Sequence, residues 1–221
     1  TDIRQRFGVL EMDYNVTPDI LLTSTTTYYH NVTDTMANGV YSGAAGPTLF
    51  ADNHFKRRDT TQELRLESDF QDSPLNFLLG GYYQDAVMKN RIYVGGNMAL
   101  GLPATLTAGT HDLDIKSASL FGQLRWKPVE TLEIAAGVRW TDETRKDFAT
   151  TLSNAATNTY TPVDLITPKI NSKNWSPELT VTYTPTDNFT VFGALKQGYK
   201  SGSFSITTPA SPTKDNSFGD E

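Results

Sequence analysis

The sequence predicts an all-β protein: an antiparallel transmembrane β-barrel segment of about eight strands in four hairpins. Three observations carry that prediction. Apolar residues recur with a period of two, short connections alternate strictly with long ones, and a mean hydropathy of −0.41 goes with only 20% charged residues. No stretch approaches the roughly eighteen unbroken apolar residues that a spanning helix needs.

The elements follow in order. Leu10, Met12, Tyr14 and Val16 alternate with Glu11, Asp13 and Asn15, and Thr17-Pro18-Asp19 makes a tight turn. A β-branched run over 20–29 follows, and its facing is ambiguous because the alternation weakens there. Residues 31–56 are rich in Asn, Gly and Ala and predict a long connection. Gln62-Glu63-Leu64-Arg65-Leu66-Glu67-Ser68 is a clear strand closing at Asp72-Ser73-Pro74. The unit then repeats. Phe77, Leu79, Gly81 and Tyr83 share a face, and a second long loop is expected as far as about Leu113. Ala118, Leu120, Gly122, Leu124 and Trp126 share the next face, with a turn at Lys127-Pro128-Val129-Glu130. Leu132, Ile134, Ala136, Val138 and Trp140 follow, and residues 148–174 predict a third long loop. Leu179, Val181 and Tyr183 lead to a turn at Thr184-Pro185-Thr186-Asp187, and Phe189, Val191, Gly193 and Leu195 close the series before a final open loop.

Long structureless loops sit badly in a compact soluble domain. They are what a membrane barrel requires, with short periplasmic turns at one end and long extracellular loops at the other. In hydrocarbon every backbone amide needs a partner, and only a helix or a closed sheet supplies one throughout. Lipid then demands an apolar outer face while the inner face stays polar, which lowers the mean hydropathy without adding many charges. Tyr14, Tyr83, Trp126, Trp140 and Tyr183 stand at strand ends on the apolar face, where interfacial girdles belong.

Composition removes several classes. With no cysteine there is no disulfide scaffold, thiolate metal site or cysteine nucleophile. A net charge of −6 argues against nucleic acid as a partner. The chain begins at Thr1 and stops at Glu221 inside patterned or polar sequence, so a fragment or processed product is expected. Paired carboxylates such as Glu63 and Glu67 lack a visible hydrophobic pocket, and no Ser/His/Asp arrangement can be assigned. An enzyme is therefore not expected, nor a cofactor. His30, His54 and His111 fall at or in the expected extracellular loops, with Asp52 and Asp112 beside two of them. They are candidates for loop contacts to a ligand, without metal-ligand spacing.

Five segments resemble TonB-dependent outer-membrane receptors. Thr61-Gln62-Glu63-Leu64-Arg65-Leu66 is similar to that family's QELRL strand, and Ala118-Ser119-Leu120-Phe121-Gly122-Gln123-Leu124 to its A-x-F-G-Q strand. Gly137-Val138-Arg139-Trp140-Thr141-Asp142-Glu143-Thr144-Arg145-Lys146 resembles G-x-R-[YW]-T-x-E-x-K, and Trp175-Ser176-Pro177-Glu178-Leu179-Thr180-Val181-Thr182-Tyr183 resembles SPK-x-x-x-x-Y. Gln197-Gly198-Tyr199-Lys200-Ser201-Gly202-Ser203-Phe204 looks like G-Y-K-S-G-G-F, with Ser203 in place of the second glycine of the pair. Each is weak alone; five in family order over 61–204 are specific together.

The resemblance implies a 22-stranded barrel with an N-terminal plug in the outer membrane of a Gram-negative bacterium. It would take up a scarce nutrient (a siderophore, haem, vitamin or oligosaccharide) under TonB drive. The expected partners are outer-membrane lipid, the missing plug domain and remaining barrel strands, the TonB complex through the absent N-terminal region, and the small nutrient ligand. Residues 1–221 are then part of the barrel domain, without plug or TonB box. In such a barrel Arg65, Arg125, Glu133, Arg139, Glu178 and Lys196, on the polar face, are the lumen-facing candidates to pair with the plug or line the solute path. Two other readings stand beside this one: a complete eight-stranded outer-membrane barrel, structural or a pore, and a soluble all-β binding module.

Overall fold

Strand-to-strand pairing, rather than the packing of layers, organises the chain. The structure, a computed structural model, describes residues 1–38, 48–154, 157, 159–163, 169–213 and 216–221. Its strands are β1 (Asp2–Thr17), β2 (Ile20–Asn38), β3 (Leu49–Ser68), β4 (Leu75–Gly96), β5 (Thr107–Val129), β6 (Leu132–Asn154), β7 (Thr159–Val163), β8 (Lys169–Thr186) and β9 (Phe189–Lys196), with β10 (Ser203–Phe204) and β11 (Ser217–Phe218) in the tail. The main sheet runs β1-β2-β3-β4-β5-β6-β8-β9, each strand antiparallel to the next. Short β7 pairs with the far end of β6, beyond the stretch that β8 covers. The all-β meander of eight strands, seven of them long and β9 short, is thus the predicted one.

Register separates the two faces. Leu22, Leu66, Leu79, Gly122, Val138 and Pro177 form one row across six strands, and Leu64, Gly81, Leu120, Trp140 and Trp175 form the next. Directly opposed residues share a face, so every alternating apolar position falls on one surface. That surface is open: Leu79 is 54% exposed and Leu120 64%. The apolar band ends in aromatics at both levels, with Trp126, Tyr183 and Phe189 towards the short turns and Tyr83, Trp140 and Trp175 at the other side. From Leu75 to Tyr83 on β4, or from Tyr183 back to Trp175 on β8, is about nine residues, the length a tilted strand needs to cross hydrocarbon. The weak alternation of β2 is settled here as well: Leu22, Ser24 and Thr26 face outward opposite Leu66, Leu64 and Gln62.

The strands are longer than the pattern suggested. β5 and β6 have 23 residues each, about twice a membrane span. Much of what alternation left as loop is paired strand, since Asn31 lies opposite Arg57 and Asn38 opposite Phe50. Likewise Arg91 pairs Thr110, and Phe148 pairs Asp112. The reason is physical: beyond the lipid both faces meet water, so pairing continues without an apolar period to betray it. The tips of two expected loops, 39–47 and 164–168, lie outside the described residues.

The turn prolines also shift. β5 runs through Pro128 to Val129 and turns at Glu130 and Thr131, and β8 runs through Pro185 to Thr186. Both prolines sit where the ladder slips, between Trp126 and Val129 and between Tyr183 and Thr186. A residue without an N–H fits such an irregularity and little else in a sheet.

The buried core lies at the end away from these turns, on the polar face. Burial alternates along β5, where His111, Leu113, Ile115, Ser117 and Ser119 are buried and Asp114, Lys116, Ala118 and Leu120 exposed. The covering element is the tail. Phe204 packs with Ala86, Leu113 and Ile115, and Ala210 with Ala149 and Val163. The expected final open loop is therefore a folded segment, closed by the β10–β11 pair and by reciprocal backbone bonds between Lys200 and Glu221, each 2.9 Å.

Candidate functional site

The polar face carries the side chains of interest, and its middle is built around Arg139 on β6. Across the sheet Arg139 faces Phe121 on β5, which faces Gly80 on β4. Gly80 is required by space: a Cβ there would lie 2.3 Å from the Phe121 ring, so the ring rests directly on bare backbone. The Arg139 guanidinium then sits 5.1 Å from the Tyr82 ring centre and 5.4 Å from that of Phe121. Its Nη2 donates to Ser119 Oγ at 3.0 Å, and Ser119 in turn meets Thr141 Oγ1 at 3.0 Å. Cation–π contacts to two rings plus one hydrogen bond hold the cation in place. Four of its five N–H donors are not committed to that bond.

Beside it, Glu178 on β8 joins two strands at once. Gln123 Nε2 donates to Glu178 Oε1 at 2.8 Å, and Lys196 Nζ on β9 reaches Oε2 at 3.0 Å. Arg139, Glu178 and Lys196 line one cavity of about 470 Å³ together with Leu78, Phe121 and Gln123. These three contribute two cations and one carboxylate, and Glu63, opposite Tyr82 on the same face, adds a second carboxylate close by.

The six polar-face residues expected from sequence all lie on the face opposite the apolar band, and they divide into groups. Arg139, Glu178 and Lys196 are brought together. Arg65 stands apart with Glu67 at 3.7 Å. Arg125 donates to the Ser68 carbonyl at 3.2 Å, and Glu133 meets Lys127 at 3.4 Å, both near the short turns. Tyr82 and Phe121 are not among the residues that alternation singles out, whereas Gln123 falls on its polar face. The signal of the two rings was an aromatic at a polar-face position, which breaks the alternation in Gly81-Tyr82-Tyr83 and in Leu120-Phe121-Gly122.

The histidines are placed differently from expectation. His30, His54 and His111 belong to β2, β3 and β5 rather than to loops. His54 Nδ1 bonds Asp34, and His30 stands opposite Arg6 and Arg58 on the outward face. His111 is on the polar face and wholly buried, with Nδ1 2.6 Å from Asp147 Oδ2 and Nε2 2.8 Å from the Thr208 carbonyl. Asp112 accepts from Lys89 at 2.8 Å instead of joining a histidine. Among the described residues no three His, Asp or Glu gather in a geometry that could hold a metal ion.

His111 pins the tail from outside the membrane-crossing stretch of β5. Both ring nitrogens meet acceptors, an arrangement that only the doubly protonated ring satisfies with two donors. Burial opposes that charge; the Asp147 hydrogen bond and carboxylate, the Thr208 carbonyl and Asp112 outweigh it, so the pKa is raised. Nearby, Asn90 Nδ2 donates to the Ile206 carbonyl at 2.7 Å. Gly109 leaves room for Pro209, which a Cβ would meet at 3.1 Å. At the tail's other end Asp220 Oδ1 accepts from Ser172 Oγ at 2.6 Å and from the Gly202 N–H at 2.7 Å. These bonds, the Ser172 hydroxyl first, hold the Asp220 carboxyl below the usual range.

An apolar outer band, a polar inner wall and strands running far past the band define an outer-membrane receptor wall. The chain belongs to the TonB dependent receptor-like β-barrel family, whose family model matches residues 1–219. Solved structures agree on the fold. The ferric yersiniabactin uptake receptor FyuA from Yersinia pestis aligns over 98% of this chain and 31% of its own, with a TM-score of 0.79 at 16% identity. The ferric-catecholate import receptor Fiu from E. coli K12 aligns over 88% and 35%, TM-score 0.60, 10% identity. The unliganded ferric citrate transporter FecA aligns over 94% and 28%, TM-score 0.58, 13% identity. The chain thus spans about a third of the length of these receptors. A complete eight-stranded barrel does not fit, because among the described residues β1 and β9 end the sheet without pairing each other.

Proposed function

We propose that residues 1–221 are part of the barrel domain of an outer-membrane receptor that takes up a scarce nutrient under TonB drive. The observation that carries this reading is the two-faced sheet: a lipid-matched apolar band about nine residues deep backs a polar wall on which Arg139, Glu178 and Lys196 share a cavity. Siderophore, haem, vitamin and oligosaccharide remain the nutrient classes. The two receptors and one transporter named above are each named for a ferric complex, and Arg139 and Lys196 offer cations to an anionic one. On this reading Arg139, Glu178 and Lys196 meet the plug or the passing solute, Arg65 stands on the same wall, and Arg125 and Glu133 brace the periplasmic rim.

The test is uptake by cells that express the whole polypeptide carrying these residues, set against cells lacking its gene. Labelled ferric siderophores, haem, cobalamin and oligosaccharides form the panel. One of them should accumulate, accumulation should stop when an uncoupler collapses the proton gradient, and Arg139→Ala should slow it about tenfold. Accumulation that ignores the uncoupler would identify a passive pore instead.

A further inference from the structure

The outward face of β1 to β4 carries a feature that the uptake reading does not use. Just beyond the upper aromatic level, Arg6, His30 and Arg58 stand directly opposite one another across three strands. One row further out, Lys56 faces Lys89. Like charges opposed in a sheet repel, and this sits in a chain whose net charge is −6. Lys89 is answered by Asp112 at 2.8 Å, and Arg4 beside the cluster by Asp34 at 3.1 Å. Arg6, Lys56 and Arg58 are exposed and have no ion pair among the described residues. Tyr28, His30, Lys56, Arg58, Val87 and Lys89 line a groove of about 370 Å³ there.

A second groove lies below it, within the lipid band. Leu22, Leu64, Leu66, Leu79 and Leu120 line an apolar trough of about 390 Å³ on the same face. Gly81 stands between Leu64 and Leu120 and adds no side chain to that row. From Gln62, level with Tyr83, to Arg58 is about 13 Å along the strand, or about 9 Å of height at a 45° tilt. Long basic side chains at that height reach down into a headgroup layer about 5–8 Å deep.

From this stacking of a cationic groove on an apolar trough, we infer that β1–β4 form a binding site for one phosphorylated lipid of the outer leaflet. Its phosphate is held by Arg6, Lys56 and Arg58, and its acyl chains lie along Leu64, Leu79 and Leu120. The inference rests on the outer-membrane reading of the fold. Phosphate is the matching chemistry because guanidinium and ammonium groups converge on it with charge-assisted hydrogen bonds. The long-loop end of a barrel faces outward, which selects the outer leaflet.

The whole polypeptide carrying these residues, delipidated in detergent, is placed in phosphatidylcholine nanodiscs with about a tenth of the lipid as bis-phosphorylated lipid A. Bound lipid A is counted by native mass spectrometry. One molecule should bind, and more weakly as salt rises. The Arg6→Gln/Lys56→Gln/Arg58→Gln variant should bind about a hundredfold more weakly, at about 1 kcal/mol per cation. Lys116→Gln/Lys173→Gln, which alters outward lysines already paired with Asp85 and Asp142, should bind as wild type. Dephosphorylated lipid A binding equally well overturns the proposal, as does competition by inorganic phosphate at equal concentration, which marks a free-anion site. If the triple variant misfolds, Arg58→Lys and the wild-type salt dependence decide, and a salt-independent wild type overturns the proposal. Failure of the wild type to insert into the nanodiscs at all, seen by flotation, defeats the membrane reading itself; insertion without lipid A binding defeats only the site.

Discussion

Leu75 and Leu79 stand on the same strand and the same face, 46% and 54% exposed, and differ in depth. Leu75 opposes Trp126 at the lower girdle, whereas Leu79 opposes Gly122 midway to Tyr83. In a lipid-facing band the penalty for a cation depends on depth. Leu79→Arg should destabilise the barrel by about 2–4 kcal/mol and Leu75→Arg by about 0–1 kcal/mol. Denaturant unfolding of the whole polypeptide from lipid vesicles measures both, and equal penalties would remove the bilayer from the explanation. These outward residues were legible in the sequence because lipid imposes one rule on all of them. The inner wall was legible only in part. Alternation placed Arg139, Glu178 and Lys196 on the polar face, but it could not show that Arg139 lies over both the Tyr82 and Phe121 rings. That contact depends on the register of three strands, and the cue to it, an aromatic out of phase, looks like noise along any single strand.

Among elements, the tail and the outer strand extensions show where the pattern stops informing. The tail has too few apolar residues for a period, yet Phe204 and Ile206 find Ala86, Leu113, Ile115 and Met88 across the sheet. Its docking depends on two titrations of opposite sign. The His111 pKa is raised on folding, so its contribution is full below the ordinary histidine value of 6.5 and is lost as pH rises through the folded value. The Asp220 pKa is lowered, so its contribution is present above the ordinary 3.8 and is lost as pH falls through the folded value. The tail should therefore dock most firmly between those two ordinary values. Amide protection at Ser203, Phe204 and Phe218, taken relative to the intrinsic exchange rate at each pH, should be greatest in that window and fall on both sides. His111→Gln should weaken docking by about 2 kcal/mol and flatten the alkaline limb, and Asp220→Asn should flatten the acid limb. Protection that is flat across the range would show that apolar packing alone holds the segment.

At the scale of the whole molecule, the strict alternation of short and long connections made the meander readable, since it reports which strand ends face which side of a membrane. Closure is a different matter, because it depends on what β1 and β9 pair with. β1 is exposed along all sixteen of its residues and bonds only β2 among the described strands. Every second amide and carbonyl of its outer edge, roughly eight positions, points away from the sheet. β9 leaves a shorter open edge at the other side, with Phe192 72% and Leu195 75% exposed. Two unpaired edges flanking an apolar band are a template for further strands. In hydrocarbon each unsatisfied amide adds several kcal/mol of penalty. Residues 1–221 produced alone should therefore associate through these edges. In mild detergent, light scattering should report dimers and larger species growing with concentration, and circular dichroism should stay β-rich throughout. Lysine or proline at alternate positions of β1, for example Val9→Lys with Glu11→Pro, should shift that distribution towards monomer by blunting one edge. A monodisperse, fully folded monomer of the unmodified 221 residues would instead mean that the sheet closes on itself, and the open β1-to-β9 path would then be wrong.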